Sequence, residues 1–144
     1  MKADQVFQLC NSVAPLAWLL LIIFPRWKWT KIIILQGVLP LMLGLVYLTL
    51  IVLFFGEGEG DFGSLQGVMK LFDNPWGVTA GWIHYLAFDV FVGSWEVSNS
   101  QKLGIKHYLI IPSLLLTFLF GPIGLLLYFL IRAIKTKKFL QENF

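Results

Sequence analysis

Two ionisable side chains stand inside one apolar run. The run Gly81–Trp95 reads GWIHYLAFDVFVGSW and holds His84 and Asp89. An imidazole and a carboxyl are side chains that commonly exchange protons in active sites. On a helix they would lie about 140° apart and about 7.5 Å apart in rise. They are therefore no i,i+4 pair, and they cannot chelate one metal as neighbours on a straight helix. Each needs a partner from another element, or a cavity that wraps around this helix. Trp82, Tyr85, Asp89 and Glu96 share one helical stripe, while His84, Phe88, Phe91 and Trp95 share another. Glu96, near the far end, is expected at the membrane interface. An aspartate at mid-membrane costs about 2.5–3.5 kcal/mol on insertion scales, and intramembrane acids are functional by default. A structural role stays open beside the catalytic one, because a neutral imidazole bonded to a carbonyl is a cheap structural group. No HExxH, CxxC, CxxCH or phosphate-loop motif is present, so no metal or cofactor is expected.

The elements that position these residues follow from composition. The 144 residues are 58% hydrophobic and 13% charged, with mean hydropathy +0.77. A soluble domain carries about twice that charge. The basic residues stand at the ends of apolar runs, a bilayer pattern rather than a nucleic-acid patch. A bilayer core needs about 20 helical residues. Four runs have that length, at about 5–24, 32–55, 75–95 and 108–131. Open strands cannot span lipid. The expected fold is an all-α membrane protein, a four-transmembrane-helix bundle forming one domain over 1–144. Cys10 is the only cysteine, which excludes an internal disulfide.

The connections differ in kind. PRWKWTK at 25–31 is a basic turn with two tryptophans, suited to the headgroup layer. GEGEGDFG at 56–63 is flexible and acidic. SLQGVMKLF at 64–72 places Leu65, Val68, Met69 and Phe72 on one face, the pattern of a short interfacial helix. Asn74-Pro75 reads as an N-cap followed by proline at the first helical position. RAIKTKK at 132–138 is a basic anchor. Basic residues divide almost evenly between the two sides, so charge does not orient the chain; the dense tail leans both termini toward the cytoplasm.

Pro15 and Pro40 fall inside the first and second spans, where each frees the carbonyl four residues earlier. Those positions are Asn11 and Gln36. Their amides either repair the kinks or line a cavity toward the site of Asp89 or His84. GPIG at 121–124, in the fourth span, is expected to kink that helix and let it pack closely.

Three stretches carry a family resemblance. TAGWIHYLAFDVFVG at 79–93, FGPIGLLLYFLIR at 120–132, and Pro40, Leu43-Gly44 and Tyr47 in the second span are similar to the neoxanthin-synthase-like family. These are small four-span membrane proteins of plant plastids, with bacterial relatives. The similarity runs from about Asn11 to Arg132, is specific in the third span, and weakens in the first span and the acidic loop. It implies Trp82, His84 and Asp89 as site residues. It also implies carotenoid chemistry: violaxanthin becomes neoxanthin when an epoxide opens and an allene forms. That isomerisation needs an acid at the epoxide oxygen and a base for a carbon-bound proton, and no external redox partner.

The expected function is thus an integral-membrane isomerase of a carotenoid or other lipid-soluble polyene. Asp89 and His84 are its candidate catalytic pair, and Trp82, Tyr85, Asn11, Gln36 and Phe88 its binding residues. The expected partners are membrane lipid, a hydrophobic polyene and a second copy of the chain, with no nucleic acid. The short length suggests a compact member in a bacterial inner membrane without a plastid leader. Two other readings stay open: a non-catalytic binding or assembly protein, and a histidine-ligated cofactor protein.

Overall fold

The structure, a computed structural model, describes residues 2–54, 56 and 60–137. The last residue of the second expected span, the acidic run 57–59 and Lys138 of the basic anchor lie outside them. The described elements are helical, with no strand among them. They are α1 (Ala3–Ile23), α2 (Lys28–Thr30), a π-helical turn (Lys31–Leu35), α3 (Val38–Phe54), α4 (Leu65–Asp73), α5 (Pro75–Lys102), α6 (His107–Phe120) and α7 (Pro122–Thr136). The chain falls into two compact units, Met1–Pro15 with Leu39–Phe88, and Leu16–Val38 with Asp89–Phe144. Both α1 and α5 contribute residues to each.

Local chemistry fixes several boundaries. The Ser64 hydroxyl accepts from the Gly67 amide at 3.0 Å and starts α4. The Asn74 side-chain carbonyl accepts from the Trp76 amide at 2.9 Å, so α5 begins at Pro75 as the sequence predicts. It then runs 28 residues, to Lys102, past the expected end near Trp95.

Two segments, Ala3–Ile23 and Lys28–Phe54, are long and apolar enough to cross a membrane. α5 has the length but, with its polar residues, not the hydropathy. The second segment is not one regular helix. It passes through the π-helical turn, where the Gln36 amide donates to the Lys31 carbonyl at 2.9 Å, and breaks at Gly37 with φ +85°. Pro40 therefore sits in the first turn of α3, where its missing N–H leaves no helical bond unmade. The mid-helix kink expected at Pro40 does not form.

The fourth expected span, 108–131, is also not one helix. Gly121 takes φ +51° and ψ −100°, and Pro122 opens a new helix without needing an amide donor. The chain then turns back. Gly124 packs directly on the Thr117 backbone and the Ser113 carbonyl, leaving no room for a β-carbon. In a continuous helix Ser113 and Gly124 would be about 16 Å apart along the axis. α6 and α7, with 14 and 15 residues, form a helical hairpin. Each arm is about 21–23 Å long, shorter than a bilayer core.

The core of the first unit is apolar. Cys10 and Ala14 of α1, Leu43 and Leu50 of α3, and Ala80, Ile83, Leu86 and Ala87 of α5 form it. Phe54 stacks on Trp76 at 4.0 Å between ring centroids. In the second unit, Trp18 packs closely on Gly93 and lies 5.4 Å from Phe118.

Candidate functional site

In the first unit, α5 meets α1 and α3 through aromatic residues. The Trp82 indole N–H donates to the Asn11 side-chain carbonyl at 2.9 Å. Its ring lies 5.8 Å from Phe7 and 5.3 Å from Tyr85. Three expected binding residues, Asn11, Trp82 and Tyr85, are thus brought together, and the Asn11–Trp82 bond is exposed rather than buried. His84 is also exposed. Its ring is 5.3 Å from Tyr47 and 4.7 Å from Phe88, and it stands at the edge of a cavity of about 290 Å³. Tyr47, Phe72 and Gly81 line the same cavity.

Asp89 belongs to the second unit and is buried. Its carboxylate lies against the Gly121 turn, so near that a β-carbon there would meet a carboxylate oxygen at 3.1 Å. Gly121 is the cap position of α7, and a helix N-terminus favours a negative group. Gln36 also lies in the second unit, beside Arg26, Lys31 and Lys102.

Glu96, expected at the membrane interface, is enclosed by protein. It is fully buried. The Thr117 hydroxyl donates to one carboxylate oxygen at 2.8 Å, and the Ser113 hydroxyl to the other at 3.3 Å. Two facts put it there: α5 continues beyond it, and the α6–α7 hairpin covers it. The Tyr128 hydroxyl donates to the Asn99 side-chain carbonyl at 2.7 Å, again between α5 and the hairpin. Arg132 is buried as well, with its guanidinium 5.6 Å from the Phe129 ring centre. Its Nε and one terminal nitrogen find no partner among the described residues. Asp89, Glu96, Asn99, Tyr128 and Arg132 thus make a buried polar set on α5 and α7. Sequence reasoning missed four of its five members. The sequence reading places Asp89 and Glu96 on one stripe; the signal left unused was the four-residue spacing of Tyr128 and Arg132.

An apolar groove of about 560 Å³ runs on the same two helices. Phe91, Val92 and Trp95 of α5 and Leu125 and Phe129 of α7 line it. The Trp95 ring lies 5.3 Å from Tyr128 and 5.6 Å from Phe129, so groove wall and polar set are in direct contact.

Residues 5–128 match the model of the ABA DEFICIENT 4-like family. The chain belongs to that family. It is also similar to the protein ABA DEFICIENT 4, chloroplastic, of Arabidopsis thaliana, with 24% identity over 143 residues. That alignment covers 92% of this chain and 62% of the relative, so the chain spans about three-fifths of the relative's length. The relative's name places it in the chloroplast, and lends the bacterial inner membrane expected above no support. No solved structure matches. The family resemblance read from the third span, the second span and the GPIG segment is therefore membership.

Proposed function

We propose that this family member is an integral-membrane isomerase of a carotenoid-like polyene, with the polyene held in the groove of the second unit. The observation that carries this reading is the contact of Trp95 and Phe129, in the groove wall, with Tyr128, one of the buried polar residues of α5 and α7, of which α5 bears Asp89 and Glu96. A greasy wall of Phe91, Trp95 and Phe129 suits a conjugated chain, which stacks on aromatic faces without asking for hydrogen bonds. Membership of a family with a plastid relative supports a carotenoid-related role.

Asp89 and Glu96 take the proton roles. They stand two turns apart on one stripe of α5, about 10.5 Å in rise. One carboxyl, protonated, gives its proton to an epoxide oxygen as the carbon–oxygen bond breaks. The other, ionised, removes a proton from carbon as the new double bond forms. Substrate and product then have the same composition, and one proton passes from enzyme to substrate while another returns. The Ser113 and Thr117 hydroxyls hold the Glu96 carboxyl in place. His84, in the first unit, takes no part in this reading.

The test pairs stability with chemistry. The protein is purified, and its extracted lipid is examined by absorption and mass spectrometry. Violaxanthin conversion is then followed by chromatography for the wild type, Asp89→Asn and Glu96→Gln. Both amides keep shape and hydrogen-bonding capacity while losing proton exchange. The expected result is unchanged melting with conversion lowered about 100-fold or more. A wild type that holds no polyene and converts none sinks the reading. If both variants unfold early, the carboxyls are structural.

A further inference from the structure

We propose that the cavity beside the Pro25–Gln36 segment binds the phosphate headgroup of an anionic membrane lipid. It is independent of the polyene groove and rests on the chain crossing a membrane. The cavity measures about 590 Å³. Arg26 and Lys31 line it from the turn, and Lys102 from the end of α5. Three formal positive charges therefore face it. Ser98, Gln101 and Gln36 add neutral donors, and no acidic residue lines it among the described residues. A lipid phosphodiester offers negatively charged oxygens to such donors, and a guanidinium beside ammonium groups binds them by charge-assisted bonds.

The walls are built rather than incidental. The Gln101 side-chain amide donates to the Pro25 carbonyl at 3.4 Å, tying the end of α5 to the turn. The π-helical turn closes on the Gln36-to-Lys31 bond, and both of those residues face the cavity. Such turns occur often at functional sites.

Depth points to a lipid rather than free phosphate. α1 ends at Ile23 and the next membrane-length segment begins at Lys28, so the turn between them stands where both leave the apolar layer. Phe24, Trp27 and Trp29 are exposed around it, as an aromatic belt at headgroup level would be. Phe24 and Trp27 lie 6.2 Å apart by ring centroid. Leu35 and Pro25 give the cavity an apolar part for the glycerol and first acyl carbons.

The experiment measures lipid retained by the full-length protein in detergent, by native mass spectrometry, after mixing with phosphatidylglycerol or phosphatidylcholine. Phosphatidylglycerol is expected to bind at one per chain in clear preference to phosphatidylcholine. Arg26→Gln, Lys31→Gln and Lys102→Gln should each weaken it about fivefold, and the triple variant about a hundredfold, by the usual worth of a cation near an anionic lipid. Lys135→Gln with Lys137→Gln, which removes two tail charges, should leave binding unchanged. The three lining residues are exposed, and Lys31→Arg with Lys102→Arg keeps the charge should the triple variant melt early; that pair should retain the lipid. Equal loss from the tail variant, or equal retention of phosphatidylcholine, overturns the site. Millimolar inorganic phosphate raising the melting temperature as far as phosphatidylglycerol does would also overturn it, in favour of a free anion.

Discussion

The two halves of α5 do opposite things. Residues 75–88 carry the polar groups most conspicuous in the sequence, yet His84 and Trp82 are exposed, the buried Thr79 hydroxyl donates to the Pro75 carbonyl of its own helix, and the first unit packs on Ala80, Ile83, Leu86 and Ala87. Residues 89–102 carry less conspicuous ones, and there Asp89, Ser94, Glu96, Asn99 and Ser100 are buried. What differs is the partner. The first half packs on largely apolar faces of α1 and α3, and the bond that Asn11 of α1 offers it, to the Trp82 indole, is exposed. The second half meets the α6–α7 hairpin, whose Ser113, Thr117 and Tyr128 offer three hydroxyls. Away from water, a buried polar group persists where another element can satisfy it. Polarity in one helix is thus read correctly only with its neighbour in view.

The sharpest way to break this contrast is to open the hairpin. In Gly124→Ala, the new methyl would occupy the Thr117 backbone, so α6 and α7 must separate. A cost of about 3 kcal/mol, at the upper end for overpacking, is expected as a large fall in detergent melting temperature. The same separation should release Glu96 from Thr117. A variant that melts like the wild type would show that the close approach at Gly124 is not what holds the second unit. A smaller effect is expected for Tyr128→Phe, which removes the bond to Asn99 and keeps the ring against Trp95. A buried bond of this kind is worth about 1 kcal/mol. An unchanged melting point would show that the bond contributes nothing to the unit's stability.

The sequence carried the local features well. Ser64 and Asn74-Pro75 announce helix starts because their hydrogen bonds close within three residues. The extent of α1 was legible from its apolar length, and α4 from its helical periodicity. What was not legible was non-local. Hydropathy runs unbroken from Tyr108 to Ile131, so the fold-back at Gly121 is invisible to it, and with it the burial of Glu96. GPIG suggested a kink, and only the packing of Gly124 on Thr117 makes that kink a reversal. Arg132 looked like an interfacial anchor because cations usually end a span, whereas the hairpin draws it inside. Of the candidate site residues, Asn11, Trp82 and Tyr85 do meet, Phe88 lies beside His84, and Gln36 lies among cations.

The smallest effect should come from the hydrogen bond that Trp82, in the first half of α5, donates to Asn11 of α1. Trp82→Phe removes the indole N–H from Asn11 but keeps a ring beside Phe7 and Tyr85. Because the bond is exposed, neither partner is left buried and unsatisfied when it is lost, and the cost falls to about 0.5 kcal/mol or less. Asn11→Leu should cost about as little, and the double variant no more than either alone, since the two share one bond. Tyr128→Phe, by contrast, strips a partner from a buried amide. Melting temperatures of the three first-unit variants and of Tyr128→Phe, in one detergent, place the two halves of α5 on one scale. A cost for Trp82→Phe equal to that of Tyr128→Phe would mean that the Asn11–Trp82 bond is shielded from solvent, and the division of α5 into an exposed and a buried polar half would fall.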